Sequence, residues 1–200
     1  MKRLGILLLF MLLKSQVHCQ DSLQQTSNIF FLKASSGVIN TGFIGGVGFC
    51  FSLKKNIIID IAYHKNNFDS ELKPSDYYPA SSLIGKPIGP QDVIQTYSLG
   101  VGKYVYSSKA FKILVIGGAS YFSRRYNTFK PITPRQGWFG YSSNYEEIPN
   151  TNNGGGAYIS ASLQGTANRV LGIHISPMLQ LQNNKIALGG ELSILIGKLY

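Results

Sequence analysis

An all-β chain, folded as an up-and-down antiparallel transmembrane β-barrel of about eight strands, is what three features of these 200 residues predict. About eight segments alternate apolar with small or polar side chains at a period of two, the signature of a strand with two unlike faces. Each segment is long, about 9–13 residues, the length a tilted strand needs to cross a bilayer; strands of soluble proteins run nearer five or six. The connections differ by side: the second, fourth and sixth are short, whereas the third and fifth are long. Short turns at one end and long loops at the other are the asymmetry of barrels that span an outer membrane.

The first residues set the compartment. Met1-Lys2-Arg3 is a basic start, Leu4 to Leu13 is an almost unbroken apolar run, and Val17-His18-Cys19 leads into a polar stretch. This reads as a secretory signal peptide over 1–19, leaving a barrel domain over 20–200. The run is too short to span a bilayer as a helix. A lipid anchor at Cys19 is the rival reading, and Val17 and His18 are not the small residues it requires. Beyond the leader no 18-residue apolar run occurs, so strands must do any crossing. Cys50 is then the one cysteine left, which excludes a disulfide scaffold. The formal net charge is +10, of which Lys2, Arg3 and Lys14 belong to the leader. The remaining basic excess suits anionic lipid or lipopolysaccharide headgroups, and no nucleic-acid partner is expected. Gly at 22, Tyr at 12 and Phe at 11 accompany only 14% charged residues, a balance that fits strands facing lipid.

Taken in order, residues 28–37 form the first segment. Phe43, Val47, Phe49, Phe51 and Leu53 then alternate with Gly46, Gly48, Cys50 and Ser52. Ile57, Ile59, Ile61 and Tyr63 alternate with Asp60, Ala62 and His64. Tyr97, Leu99 and Val101 alternate with Ser98, Gly100 and Gly102. Residues 111–125 follow, with Phe111–Ile116 apolar on both parities, so their inward side stays open. Ala157, Ile159, Ala161 and Leu163 alternate with Tyr158, Ser160, Ser162 and Gln164. Leu171, Ile173, Ile175, Leu179 and Leu181 alternate with Gly172, His174, Ser176, Gln180 and Gln182. Ile186, Leu188, Leu192, Ile194 and Ile196 alternate with Ala187, Gly189, Glu191 and Ser193. The long connections are 67–92 and 127–156, and they hold seven of the eight prolines. Proline lacks a ladder donor and is expected outside strands; Pro177 breaks that rule and predicts a bulge.

Lipid offers no partner to backbone N–H and C=O groups, so strands cross it only as a closed sheet. The apolar parity must then face lipid and the glycine, serine and charged parity the lumen. Eight strands leave a lumen that side chains fill, and inward glycines make room for larger inward partners.

The leader, the alternating segments and the final strand Ile186–Tyr200 resemble the small outer-membrane β-barrel proteins of the OmpX-like and "outer membrane protein beta-barrel domain" groups, over about residues 28–200. Leu192, Ile194, Ile196 and Tyr200 fit the family's terminal assembly signal, apolar at alternate positions back from an aromatic end; Lys198 departs from it. The resemblance implies a Gram-negative outer-membrane location and insertion by a barrel assembly machinery. It implies no activity.

Several side-chain groups are candidate sites. Lys33, Asp60, His64, His174, Ser176 and Glu191 fall on inward parity and can form a lumen network. His174-x-Ser176 resembles the His-x-Ser pair of outer-membrane lipid A deacylases, with Glu191 placed to orient the histidine. In that family the pair faces lipid; here the parity of Leu171, Ile173 and Ile175 turns it inward. A hydrogen-bonded lumen set is therefore the favoured reading. No cofactor is expected, and two inward histidines and one cysteine on separate strands make a poor metal site. Tyr63, Tyr97, Tyr104, Tyr106, Phe111, Tyr121, Tyr126 and Tyr200 lie near strand ends, where an aromatic girdle forms. Arg124 and Arg125 can meet lipopolysaccharide phosphate at the outer rim or lie as a solvated strand end. Trp138, Phe139, Tyr141 and Tyr145 in the 127–156 loop can bind an extracellular ligand or cap the mouth. No P-loop, CxxC, HExxH or GxSxG pattern occurs.

The leading expectation is a non-enzymatic outer-membrane barrel with a packed polar lumen, whose loops 67–92 and 127–156 bind or shield at the cell surface. A narrow, porin-like pore or carrier for a small ligand is the alternative. A lipid-active enzyme using His174 and Ser176 and a soluble lipocalin-type barrel are the further rivals; the small, uncharged Gly/Ser parity makes a poor soluble surface.

Overall fold

The computed structural model describes residues 29–40, 42–53, 57–78, 89–108, 111–134, 136–137, 140–182 and 185–199, with the backbone alone at 136, 137, 140, 141 and 185. The expected leader at 1–19 and Tyr200 lie outside the described residues. The strands are β1 (Phe30–Ile39), β2 (Gly42–Leu53), β3 (Ile57–Asp69), β4 (Gln91–Ser107), β5 (Phe111–Pro131), β6 (Gln136–Gly137), β7 (Gly140–Tyr141), β8 (Tyr145–Thr166), β9 (Leu171–Gln182) and β10 (Lys185–Lys198). Eight of them close a barrel in the order β1-β10-β9-β8-β5-β4-β3-β2, while β6 and β7 pair apart as a small hairpin. All barrel pairs are antiparallel and close through β1 on β10. Gly197 sits at that seam with φ +150°, where a Cβ would collide with the Phe30 carbonyl.

The expected facing holds on every strand. Leu32, Val47, Ile61, Leu99, Tyr121, Ile159, Ile173 and Ile194, one from each barrel strand, are each about half exposed or more. Lys33, Asp60, His64, His174 and Glu191 are buried on the opposite parity. A water-soluble chain arranges its side chains the other way round, so the outer surface is an apolar belt built to meet hydrocarbon. The open case, 111–116, resolves with Lys112, Leu114 and Ile116 inward.

Four expectations are corrected. The interior is only half polar. Ile29, Phe31, Cys50, Ile58, Leu114, Ile116, Leu195 and Leu199 form one buried apolar cluster. All lie toward the short-turn ends of their strands, and lipid outside gives no reason to keep such side chains out of the lumen.

The 127–156 connection is largely a β-ribbon: β5 and β8 stay paired out to Pro131↔Tyr145. Pro131 and Pro149 therefore sit in strands. Pairing of β8 with β9 begins only at Gly156, so this stretch of β8 is an edge, where a missing donor costs little.

Pro177 makes no bulge. The β9–β10 register runs evenly through Gly190↔Pro177, and on the other side pairing lapses between Ser160↔Met178 and Leu163↔Ile175 without a shift. A skipped rung accommodates the missing N–H, with no inserted residue.

A bulge does occur in β4, between Tyr104 and Tyr106. Tyr104 keeps the inward parity of Gly100 and Gly102 and packs against the interior cluster, whereas the bulge switches parity and Tyr106 points out. Tyr104 thereby leaves the predicted girdle.

Candidate functional site

The lumen is filled in layers, and neighbouring glycines decide where large side chains fit. Above the apolar cluster lies a layer of buried charge centred on Asp60. Lys33 Nζ stands 2.8 Å from Asp60 Oδ1. The Cys50 thiol donates to the same oxygen at 2.9 Å, and the Tyr158 hydroxyl donates to Oδ2 at 3.0 Å. Four strands thus meet on one carboxylate. A buried charge is tolerable only when paired and hydrogen-bonded in this way. A Cβ on Gly48 would overlap Lys33, and one on Gly100 would overlap the Tyr158 hydroxyl. Here the inward glycines leave the room that their parity predicted.

A second pair, His64 Nε2 with Glu191 Oε2 at 3.1 Å, joins β3 to β10 across the barrel, and Gly46 clears the space beside His64. Nearer the short-turn end, Lys112 donates to the Leu199 carbonyl at 2.8 Å and lies 5.3 Å from the Tyr104 ring centroid. Tyr104 in turn donates to Gln164 Oε1 at 3.0 Å.

The structure brings Lys33 to Asp60 and His64 to Glu191, but does not assemble His174, Ser176 and Glu191 as one hydrogen-bonded set. Glu191 lies opposite Ser176 in the ladder, yet its carboxylate reaches His64. Both ring nitrogens of His174 lack a hydrogen bond among the described residues. His174 and Ser176 are buried in the lumen while Ile173 and Ile175 occupy the outer face. Glu191, placed by the sequence to orient His174, instead links β10 to β3 across the lumen.

Arg124 and Arg125 also part company, since adjacent residues on a strand face opposite ways. Arg124 turns inward and pairs with Asp92 at 2.7 Å and Glu71 at 3.1 Å. Its guanidinium lies 5.4 Å from the Phe68 ring and 5.6 Å from the Tyr126 ring. Arg125 alone stays exposed.

Above the mouth, residues 70–78 are stitched to the β5–β8 ribbon. The Tyr77, Phe129 and Tyr145 rings cluster with centroids 5.5–6.4 Å apart. Tyr145 donates to Asp76 Oδ1 at 2.8 Å, and Tyr77 donates to Glu147 Oε1 at 2.7 Å. Asn144 accepts from the Tyr78 N–H at 2.7 Å and donates to the Asp76 carbonyl at 2.8 Å. Tyr145 therefore belongs to a cap joining the two long connections. Trp138, Phe139 and the Tyr141 side chain lie outside the described residues.

On the outer wall Tyr63, Tyr97 and Tyr121 are ladder neighbours on three successive strands, and the first two rings lie 5.2 Å apart. Tyr106 and Phe111 stack at 5.0 Å toward the short-turn end. At about 3.3 Å per residue and a tilt of ~40°, the two rows stand roughly 25 Å apart, the height of an outer-membrane barrel's apolar band.

A scan against protein-family models and a search of curated proteins found no match. Solved structures do match. A major outer membrane protein from Thermus thermophilus aligns with TM-score 0.62 and 10% identity, over 86% of this chain and 99% of that one. The N-terminal β-barrel domain of Pseudomonas aeruginosa OprF gives 0.54 and 10%, over 84% and 96%. Neisserial surface protein A gives 0.53 and 8%, over 87% and 99%. The chain has the fold of the small outer-membrane β-barrels. At this identity the likeness fixes the architecture and leaves function to the side chains.

Within that barrel, sequence reasoning missed the Asp92–Arg124–Glu71 set, because Asp92 was assigned to a loop. It also missed a cavity of about 420 Å³ at the long-loop end, whose walls include His64, Asn66, Thr96, Phe122, Gln180 and Gln182. The signal was present in part: these residues carry the inward parity of β3, β4, β5 and β9.

Proposed function

We propose that the protein is a non-enzymatic outer-membrane barrel, sealed at its short-turn end, that works at the cell surface through its capped outer connections, 67–92 and 127–156. The observation that carries this reading is the polarity of the molecule along its axis. At one end lie short turns and an apolar plug; at the other, two long connections are bound to each other; an apolar belt with aromatic rows lies between. Such a molecule has surface to present on one side only. Arg125, exposed near the outer aromatic row, supports contact with lipopolysaccharide phosphate. Insertion by a barrel assembly machinery accords with the fold. The lipid-enzyme alternative loses support, because His174 and Ser176 face the lumen beneath a wall of Ile173 and Ile175.

The test is the labelling of single cysteines on intact cells, in a Cys50→Ser background, with a membrane-impermeant maleimide. A cysteine at Thr151, in the ribbon, is expected to react; one at Asn168, in a short turn, is expected to react only after lysis. Labelling of Asn168→Cys on intact cells would overturn the orientation.

A further inference from the structure

We infer that the 420 Å³ cavity at the long-loop end of the lumen is a binding site for a small, neutral, hydroxyl-rich ligand of the size of a mono- or disaccharide. The inference deepens the surface-binding reading above and rests on the lumen being closed beneath the cavity.

The charges that reach this space are already neutralised. Arg124 is held by Asp92 and Glu71, and His64 by Glu191. An ionic ligand would have to displace the buried Asp92 or Glu191 from its partner, or compete with the half-exposed Glu71 for Arg124, and breaking a buried pair costs more than an exposed pair returns. What the walls offer instead is a run of amides and a hydroxyl. Gln182 Nε2 lies 3.1 Å from Gln180 Oε1 and 3.4 Å from Thr96 Oγ1, so the set spans from β9 to β4. Asn66 and Asn152 extend it. A side-chain amide presents two donors and a two-lone-pair acceptor, so a group of them matches a ligand that also donates and accepts at every edge. Hydroxyls do this; ammonium groups only donate, and ionised phosphates and carboxylates only accept.

A separate observation points the same way. His64 lines the cavity, and its Nδ1 is buried and makes no hydrogen bond among the described residues. With Nε2 turned to the Glu191 carboxylate, Nδ1 is left to meet a hydroxyl, which can donate to the neutral ring or accept from the charged one. Arg124 lines the cavity too, and its Nε, a donor, is buried without a partner among the described residues. Phe68 and Phe122 add flat apolar faces, which suit the C–H face of a sugar ring and complete the mixture of apolar wall and convergent polar groups typical of small-molecule sites. The volume falls toward the lower end of the usual range for such sites, about 300–1,000 Å³. It admits one or two rings and no longer chain.

The experiment is saturation-transfer NMR, followed by titration, of the full mature barrel refolded in micelles. The probes are D-glucose, maltose, glucose 6-phosphate and spermidine. Folding of each sample is verified by the heat-dependent shift in its electrophoretic mobility. Saturable binding of glucose or maltose is expected, with the phosphate and the polyamine binding at least tenfold more weakly. Gln182→Leu and Asn152→Ala are each expected to weaken the sugar about three- to tenfold, the effect of one lost hydrogen bond. Ser36→Ala, on the outer wall, is expected to change nothing. Folded protein that binds neither neutral sugar, that prefers either charged probe, or whose sugar affinity survives both cavity substitutions would overturn the inference. Each of these results can occur whether or not the barrel presents its loops outward, so the two claims fail separately.

Discussion

Asp60 is the residue on which the interior depends. Replacing it with alanine strands Lys33 as a buried unpaired cation and removes the acceptor of Cys50 and Tyr158. Loss of one member of such a pair costs roughly 3–5 kcal/mol. Urea unfolding of Asp60→Ala in lipid vesicles should show a loss of that order, and the double variant Lys33→Met/Asp60→Leu should recover most of it. If the single variant is as stable as the parent, the pair does not hold the interior together. Gly100 offers an independent check, because a side chain there must displace Tyr158. Gly100→Val should cost about 1–3 kcal/mol by overpacking. At this scale the sequence revealed which way most strand side chains point, since alternate residues on a strand face alternate sides. It did not reveal partners: His64 and Glu191 are far apart in the chain and meet only because the barrel closes. His174, Ser176 and Glu191 were grouped on adjacency in one hairpin, but the carboxylate reaches across the lumen instead.

At the scale of the strand, the outward parity is the testable claim. Ile194 on β10 faces outward opposite Ile173 and Ala34. Ile194→Arg should cost roughly 2–4 kcal/mol of folding free energy in lipid, the depth-dependent cost of a cation on the belt. A variant that folds into vesicles as well as the parent would place Ile194 off the belt. The ribbon provides a second claim. Burial and then donation to Glu147 raise the Tyr77 hydroxyl above its ordinary pKa, and donation to Asp76 raises that of Tyr145. A raised acid is a stabilising one while it keeps its proton. The contribution to the cap is therefore complete below the free tyrosine value, about 10, and is lost as pH rises through the higher folded values. Proteolysis within 70–78 should be slow at pH 8 and accelerate above pH 10, while Tyr77→Phe/Tyr145→Phe should be cut faster already at pH 8. Equal rates for parent and double variant at pH 8 would show that these hydroxyls do not hold the cap. Strand phase was legible because one face meets lipid along the whole belt. Strand length was not: above the belt no lipid imposes alternation, so 127–131 and 145–156 looked like loop although they pair as a ribbon. The β4 bulge was equally hidden, since nothing in Tyr104-Val105-Tyr106 marks the extra residue.

At the scale of the whole molecule, the barrel and its two unlike ends could be read from the spacing of the segments alone, because closure and bilayer height constrain strand number and length more tightly than they constrain identity. That is why proteins at 8–10% identity share the architecture. The filling of the barrel was less legible, as the lumen accepts an apolar plug, an ion pair or a cavity without changing the outer pattern. The proposed function turns on that filling: if the plug, with the Lys33–Asp60 layer above it, closes the lumen, the protein acts from its outer end and conducts nothing. Conductance of the refolded protein in a planar bilayer under an applied voltage reads closure itself. A closed lumen gives no stepwise current above that of the lipid alone. Reproducible unitary steps from protein shown to be folded and inserted would contradict closure, and would make the barrel a pore.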